Sequence, residues 1–230
     1  MTMSHRPLLI SFSGLDGSGK STQIANLRAA LERLGYRTRV LAFWDNVVVG
    51  TRWREAFVHK AFGSERGVGA PGKPVERRDK NVRKPYLTVA RHMLYLLDAI
   101  HLAWVVTRNR GGADALIFDR YLYDELANLP LRNRFTRWFI QAVTAVIPRP
   151  ELAFLLDADV EAARARKPEY PVEFMRECRE QYFELAAQLG TMTVIPPLPL
   201  GQAKQAVLSR LLEKTGGIPG QTADDAIPAA

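Results

Sequence analysis

Within residues 8 to 34 the chain changes character twice. Leu8-Leu9-Ile10-Ser11-Phe12 is a compact apolar run, Gly14-Leu15-Asp16-Gly17-Ser18-Gly19-Lys20-Ser21 follows it at once, and Ile24, Leu27, Leu31 and Leu34 then recur at helical spacing up to Gly35. The first piece reads as a buried strand and the last as a helix with a glycine stop. The stretch between them fits the pattern Gly, four residues, Gly-Lys-Ser/Thr. Glycines let the backbone curl until successive N–H groups point inward as an anion nest. Lys20 adds a mobile positive charge, and the Ser21 hydroxyl suits a divalent cation. The helix that follows turns its positive end to the same place. At ordinary glycine frequency such a pattern arises by chance in about one chain per hundred of this length, and the flanking strand and helix make chance a poorer account still. Gly14, Gly17, Ser18, Gly19, Lys20, Ser21 and Thr22 are therefore predicted to bind the phosphates of a nucleoside triphosphate.

Beyond this unit, short apolar runs alternate with helical segments. Thr38–Phe43, Ala115–Phe118, Leu152–Leu156 and Met192–Ile195 read as strands. Helices are predicted over Tyr86–Asn109, Arg134–Ile147, Val160–Arg166, Val172–Leu189 and Gln202–Lys214, with a weaker one over residues 51–62. Alternation of this kind predicts a doubly wound α/β fold on a parallel sheet. Residues 86–109 are apolar nearly all round, which predicts a central, buried helix rather than a membrane span, since Asp98 and His101 interrupt the run. Residues 1–214 are expected to form one domain. Residues 63–85 hold four glycines, three prolines and seven Lys/Arg against three acids, and are expected to form a mobile basic loop. Residues 215–230 are expected to be a disordered tail.

Composition excludes little. Hydrophobic content is 47 % and charged content 24 %, ordinary for a globular domain. The lone Cys178 fits a reducing compartment, and no signal peptide is visible, so a cytoplasmic location is expected. The net charge of +8 is spread along the chain rather than massed in one tail. That distribution argues against nucleic acid and for small phosphorylated substrates.

Several pieces resemble the thymidylate kinase family. They are Gly14 to Gln23, Phe118-Asp119-Arg120-Tyr121, and Leu155-Leu156-Asp157-Ala158-Asp159 with the Ala-Arg-rich helix after it. The last is the helix carrying Arg179, Tyr182, Leu185 and Ala186. The resemblance implies a nucleoside monophosphate kinase fold of five parallel strands in the order 2-3-1-4-5, Mg²⁺-ATP as phosphoryl donor, and in many members a homodimer. It also implies a lid over residues 164–171 whose Arg164 and Arg166 supply positive charge to the transferring group. Some members carry an arginine inside the phosphate loop, where this chain has Gly17-Ser18.

Asp119 and Arg120 stand at the carboxyl end of a strand, where open α/β sheets place ligands. Asp119, with Ser21, is expected to hold Mg²⁺. Arg120 is expected to grip the acceptor's phosphate, and Asp16 to approach the acceptor or the metal. Asp45, Arg54, Asp98 and Tyr121 complete the expected acceptor side. The family's base-reading features are replaced here: Asp98 is followed by Ala99 rather than arginine, and Asp124, Glu125, Asn128 and Leu129 follow Tyr121. These departures predict an acceptor other than dTMP. The alternative is a kinase that phosphorylates a neutral hydroxyl with Asp45 as general base.

Overall fold

β1 (Leu8–Gly14) runs through the middle of the sheet, and its side chains serve two cores in alternation. Leu9 enters one hydrophobic cluster, while Ile10 and Phe12 enter the other. The structure, a computed structural model, describes residues 6–50 and 85–215. The expected helix over 51–62, the expected loop over 63–85 save Pro85, which opens a helix, the residue Arg54, and the tail from 216 onward lie outside the described residues.

Five strands form one sheet in the order β2-β3-β1-β4-β5. The others are β2 (Thr38–Ala42), β3 (Ala115–Asp119), β4 (Leu152–Leu156) and β5 (Met192–Ile195). All neighbours pair in parallel; Leu8 stands beside Ala115 and Ile10 beside Leu152. The parallel direction is the one expected from the alternation of strands and helices, and the order is the one the family resemblance implies; all the carboxyl ends therefore face one edge.

The helices are α1 (Lys20–Arg33), α2 (Phe43–Asn46), α3 (Pro85–Asn109) and α4 (Leu122–Leu126), then α5 (Arg134–Val146), α6 (Val160–Arg166), α7 (Val172–Leu189) and α8 (Leu200–Thr215). One face of the sheet is covered through Ile24, Leu27 and Leu31 of α1 and Val207, Leu208 and Leu211 of α8. The other packs on Leu102 and Val106 of α3, Ile140 and Val143 of α5, and Leu185 of α7. Each such aliphatic side chain contributes about 1.5–3 kcal/mol when fully buried. α1 ends as its glycine predicts: Gly35 has φ 81° and Tyr36 N–H reaches back to the Leu31 carbonyl, the closing bond of a Schellman motif.

Three expectations change. Phe43 does not extend β2; it opens the single turn α2, and Asn46 Oδ1 accepts from Ala42 N at 2.8 Å. The tail boundary moves by one, because Thr215 closes α8. α3 is not buried all round. Ala99, Leu102 and Val106 face the core, but Val89, Met93, Leu97, Ile100 and Trp104 are exposed along the opposite side. By length and composition Thr88–Asn109 also meets the measure of a membrane span; the helix covers the sheet with one face only.

Candidate active site

Three strands deliver the site. β1 runs straight into the glycine loop, β3 ends in Asp119 and Arg120, and β4 ends in front of Asp157. The loop needs its glycines for two reasons. Gly14, Gly17 and Gly19 have φ of 139°, 80° and 92°, values that side-chain-bearing residues rarely adopt. A methyl group at Gly14 would also run into the Leu156 carbonyl, and one at Gly17 into the Ala163 carbonyl. The loop is thus pressed against the end of β4 and against α6.

Lys20 opens α1 and is 7 % exposed. Its ammonium donates to the carbonyls of Gly14 and Leu15 at 2.9 and 2.7 Å. Burial, followed by repulsion from Arg120, brings its pKa down to about 8, against the pull of Asp16, Asp124 and Asp119. Ser21 and Thr22 stand exposed at the mouth. The Ser18 hydroxyl and Asp119 Oδ1 are buried without a hydrogen-bond partner. Unsatisfied oxygens of this kind at the end of a strand fit a cation or its waters, and the nest of positive-φ glycines fits a phosphate chain. The residues present are therefore suited to a magnesium nucleotide.

Arg120 is the centre of the second wall. It is the one non-glycine residue with positive φ (67°) among the described residues, so its backbone is held in a sparsely populated region. Its Nη2 donates to Asp16 Oδ1 at 2.5 Å, and its Nη1 to Asp124 Oδ1 at 3.0 Å and to the Tyr182 hydroxyl at 3.4 Å. Burial opposes the charge, but Tyr182, Asp124 and Asp16 outweigh it and push the pKa up. Asp16 thus bridges the loop to Arg120, and Lys167 approaches the same carboxylate at 3.8 Å. A cavity of about 40 Å³ opens beside this group, walled by Asp16, Arg120, Asn128, Phe174, Gln181 and Tyr182 among others.

The structure therefore brings together Lys20, Asp16, Arg120 and the glycines. Other expected residues stand elsewhere. Tyr121, expected at the acceptor, is fully buried and donates its hydroxyl to the Pro148 carbonyl; it is a core residue. Asp98, also expected there, is fully buried, and its Oδ1 accepts from Val49 N at 2.8 Å. It anchors the chain after β2 to α3. Asp45 is exposed on α2, and no hydrogen bond or ion pair joins it to the loop or to Arg120 among the described residues. Arg164 donates to the Tyr170 carbonyl at 3.1 Å, so it shapes the 167–171 turn, while Arg166 is exposed beside it.

Sequence reasoning missed the depth of the second wall. Ser13 Oγ donates to Asp124 Oδ2 at 2.6 Å, and the Tyr182 hydroxyl to Asp124 Oδ1 at 2.6 Å. Arg179 makes a two-pronged bond to Asp157 at 2.6 and 2.7 Å. The spacing of Arg179, Tyr182, Leu185 and Ala186 therefore has a structural cause. One helical face ties α7 to the ends of β4 and α4 and buries its remaining positions in the core.

No family model matches the chain. Whole-length sequence comparison finds a probable thymidylate kinase of Pyrococcus horikoshii, 27 % identical over 202 residues, which span 84 % of this chain and 89 % of that protein. A thymidylate kinase of Bifidobacterium longum subsp. infantis is 27 % identical over 191 residues, 78 % of this chain and 74 % of that protein. In fold, the thymidylate kinase of Candida albicans superposes with a TM-score of 0.63 at 19 % identity, covering 92 % of this chain and 93 % of the other. Over most of its length the chain is similar to thymidylate kinases. Within the family frame, the phosphate loop is intact, and the wall opposite is built on an acid at 124.

Proposed function

We propose that this chain is a thymidylate kinase-family protein that transfers the terminal phosphoryl group of ATP to a nucleoside monophosphate. The observation that carries this is Arg120 facing the phosphate loop across one cleft, with Asp16 between them. Lys20, the loop N–H groups and the positive end of α1 would hold the β- and γ-phosphates. Ser21 and Asp119 would hold Mg²⁺, which when bound neutralises phosphate charge and orients the leaving group. Arg120 would take the acceptor's phosphate in a fork. Arg164, Arg166 and Lys167 of the lid would add charge as the phosphoryl group moves.

In this transfer the bond from the γ-phosphorus to the bridging oxygen breaks, and that oxygen leaves with the electron pair as part of ADP. An acceptor phosphate oxygen forms the new bond. A phosphate oxygen is already ionised at neutral pH, so no general base is required. A hydroxyl acceptor would need one, and Asp16 is instead engaged by Arg120. Asp45 joins neither the loop nor Arg120 among the described residues, which further disfavours the hydroxyl-directed alternative.

The acceptor we propose differs from dTMP, because Ala99 and Asn128 stand where the family presents groups to thymine. A base edge missing one hydrogen bond loses about 1–3 kcal/mol, or roughly one to two decades in kcat/KM per contact. An ADP-release assay over nucleoside monophosphates, nucleosides and small phosphorylated metabolites tests both points. Turnover with a monophosphate other than dTMP is expected. A kcat/KM for dTMP of about 10⁴ M⁻¹s⁻¹ or more would overturn the acceptor proposal, and turnover on nucleosides alone would overturn the monophosphate reading. We further propose a cytoplasmic homodimer in which a second copy covers the exposed Val89, Met93, Leu97, Ile100 and Trp104 stripe of α3. Sedimentation of a Met93→Glu/Ile100→Glu variant as a monomer is the expected outcome.

A further inference from the structure

Asp124 is 2 % exposed and sits in the first turn of α4, one helical turn beyond Arg120. Four donors converge on it, two of them from distant parts of the chain. Oδ2 accepts from Ser13 Oγ at 2.6 Å and from Tyr121 N at 3.0 Å. Oδ1 accepts from the Tyr182 hydroxyl at 2.6 Å and from Arg120 Nη1 at 3.0 Å. Each oxygen of this deeply buried carboxylate therefore accepts two hydrogen bonds.

Arg120 thus lies between two acids of different standing. Asp16 has a side-chain exposure of 25 % and borders the cavity, whereas the Asp124 side chain is at 0 %. An incoming phosphate can compete with Asp16 for Nη2, since both are anions at the same open edge of the guanidinium. It has no route to replace Asp124. When Asp16 is displaced, Asp124 remains as the group that fixes the plane of the guanidinium. The same oxygen fixes Tyr182, whose hydroxyl keeps its proton because burial and then Asp124 raise its pKa.

We infer that Asp124 is a positioning residue for the acceptor. It holds the Arg120 fork and the Tyr182 ring in place while the acceptor's phosphate exchanges with Asp16. This rests on the monophosphate kinase reading above. A purely architectural acid would, when altered, lower stability and degrade both substrates' parameters together. A positioning acid moves the acceptor's parameters and spares those of ATP.

The test is steady-state kinetics on Asp124→Asn and Tyr182→Phe, with ATP and whichever of dTMP, dUMP, dCMP, dAMP and dGMP the unaltered protein phosphorylates best. Thermal melting is recorded in parallel. Asp124→Asn is expected to raise the KM of that monophosphate about tenfold, with the KM for ATP changing less than about twofold. Tyr182→Phe, which leaves the carboxylate and removes one of its donors, is expected to shift the same KM in the same direction by about threefold. Unchanged monophosphate KM in both variants overturns the inference while leaving the enzyme reading intact, as does an equal loss for both substrates. Should Asp124→Asn fail to fold, the Tyr182→Phe split alone decides. If the unaltered protein phosphorylates none of the five monophosphates, the reading beneath falls, and the inference falls with it.

Discussion

In the proposed reading the groups that would hold the donor belong to the backbone of one continuous stretch, residues 14–21, whereas the acceptor would meet side chains at 16 and 120 that are held by others at 13, 124 and 182. The backbone wall depends on φ angles and close approach, so it demands glycine and tolerates little else. The side-chain wall depends on charge balance among partners far apart in sequence. It can be rewritten by exchanging those partners together.

The comparison is sharpest at Lys20, where the donor wall uses a side chain. Lys20→Ala is expected to lower kcat by about 10²–10³-fold with an unchanged circular dichroism spectrum. Near-normal turnover would show that the main chain suffices without it. Next comes Gly17→Ala against Gly19→Ala. Both residues have positive φ, but only the methyl at 17 meets a neighbour, the Ala163 carbonyl. Backbone strain costs about 1–3 kcal/mol at each, so both variants melt lower, by about 2–4 °C per kcal/mol in a chain of this size. Gly17→Ala is expected to lose more. Equal melting points would mean that contact with α6 adds nothing to the loop.

The smallest effect is a proton. Burial and the charge of Arg120 bring Lys20 down to about 8 from an ordinary 10.5, and a bound polyphosphate would restore its charge. Nucleotide binding is therefore expected to take up about half a proton at pH 8 and almost none at pH 6.5, measured by calorimetry in buffers of different ionisation enthalpy. For the ligand-free protein the sign follows from the same shift. Between pH 8 and 10.5 the unfolded chain binds more protons at this residue, so its contribution to stability rises with pH across that window and is flat below it.

Much of the fold was legible because its signals are local. Gly35 and Gly190 stop α1 and α7 through αL geometry, and the apolar runs of β1, β3 and β4 are buried on both faces. The errors came where local sequence is silent. Four residues, Phe43 to Asn46, are too few to show a period. α3 looks buried from its composition, since periodicity does not distinguish a core-facing apolar residue from an exposed one. In the site, the glycine loop was legible for the same local reason. Asp124 was seen only as a departure, because its partners Ser13 and Tyr182 lie 111 and 58 residues away. Tyr121 misled by adjacency: it follows Arg120 in sequence, but the positive φ of Arg120 sends the two side chains apart, one to the cleft and one to the core.

The contact of Gly17 with Ala163 bears on how such an enzyme could change over generations. Members of the family that carry an arginine within the phosphate loop place transition-state charge there, and this chain places its basic residues on α6 and the turn after it. A single codon change at 17 would drive a side chain into the backbone of α6. Passing from one arrangement to the other therefore requires α6 to shift before the loop residue changes, or with it. An intermediate changed at 17 alone would have a damaged donor wall.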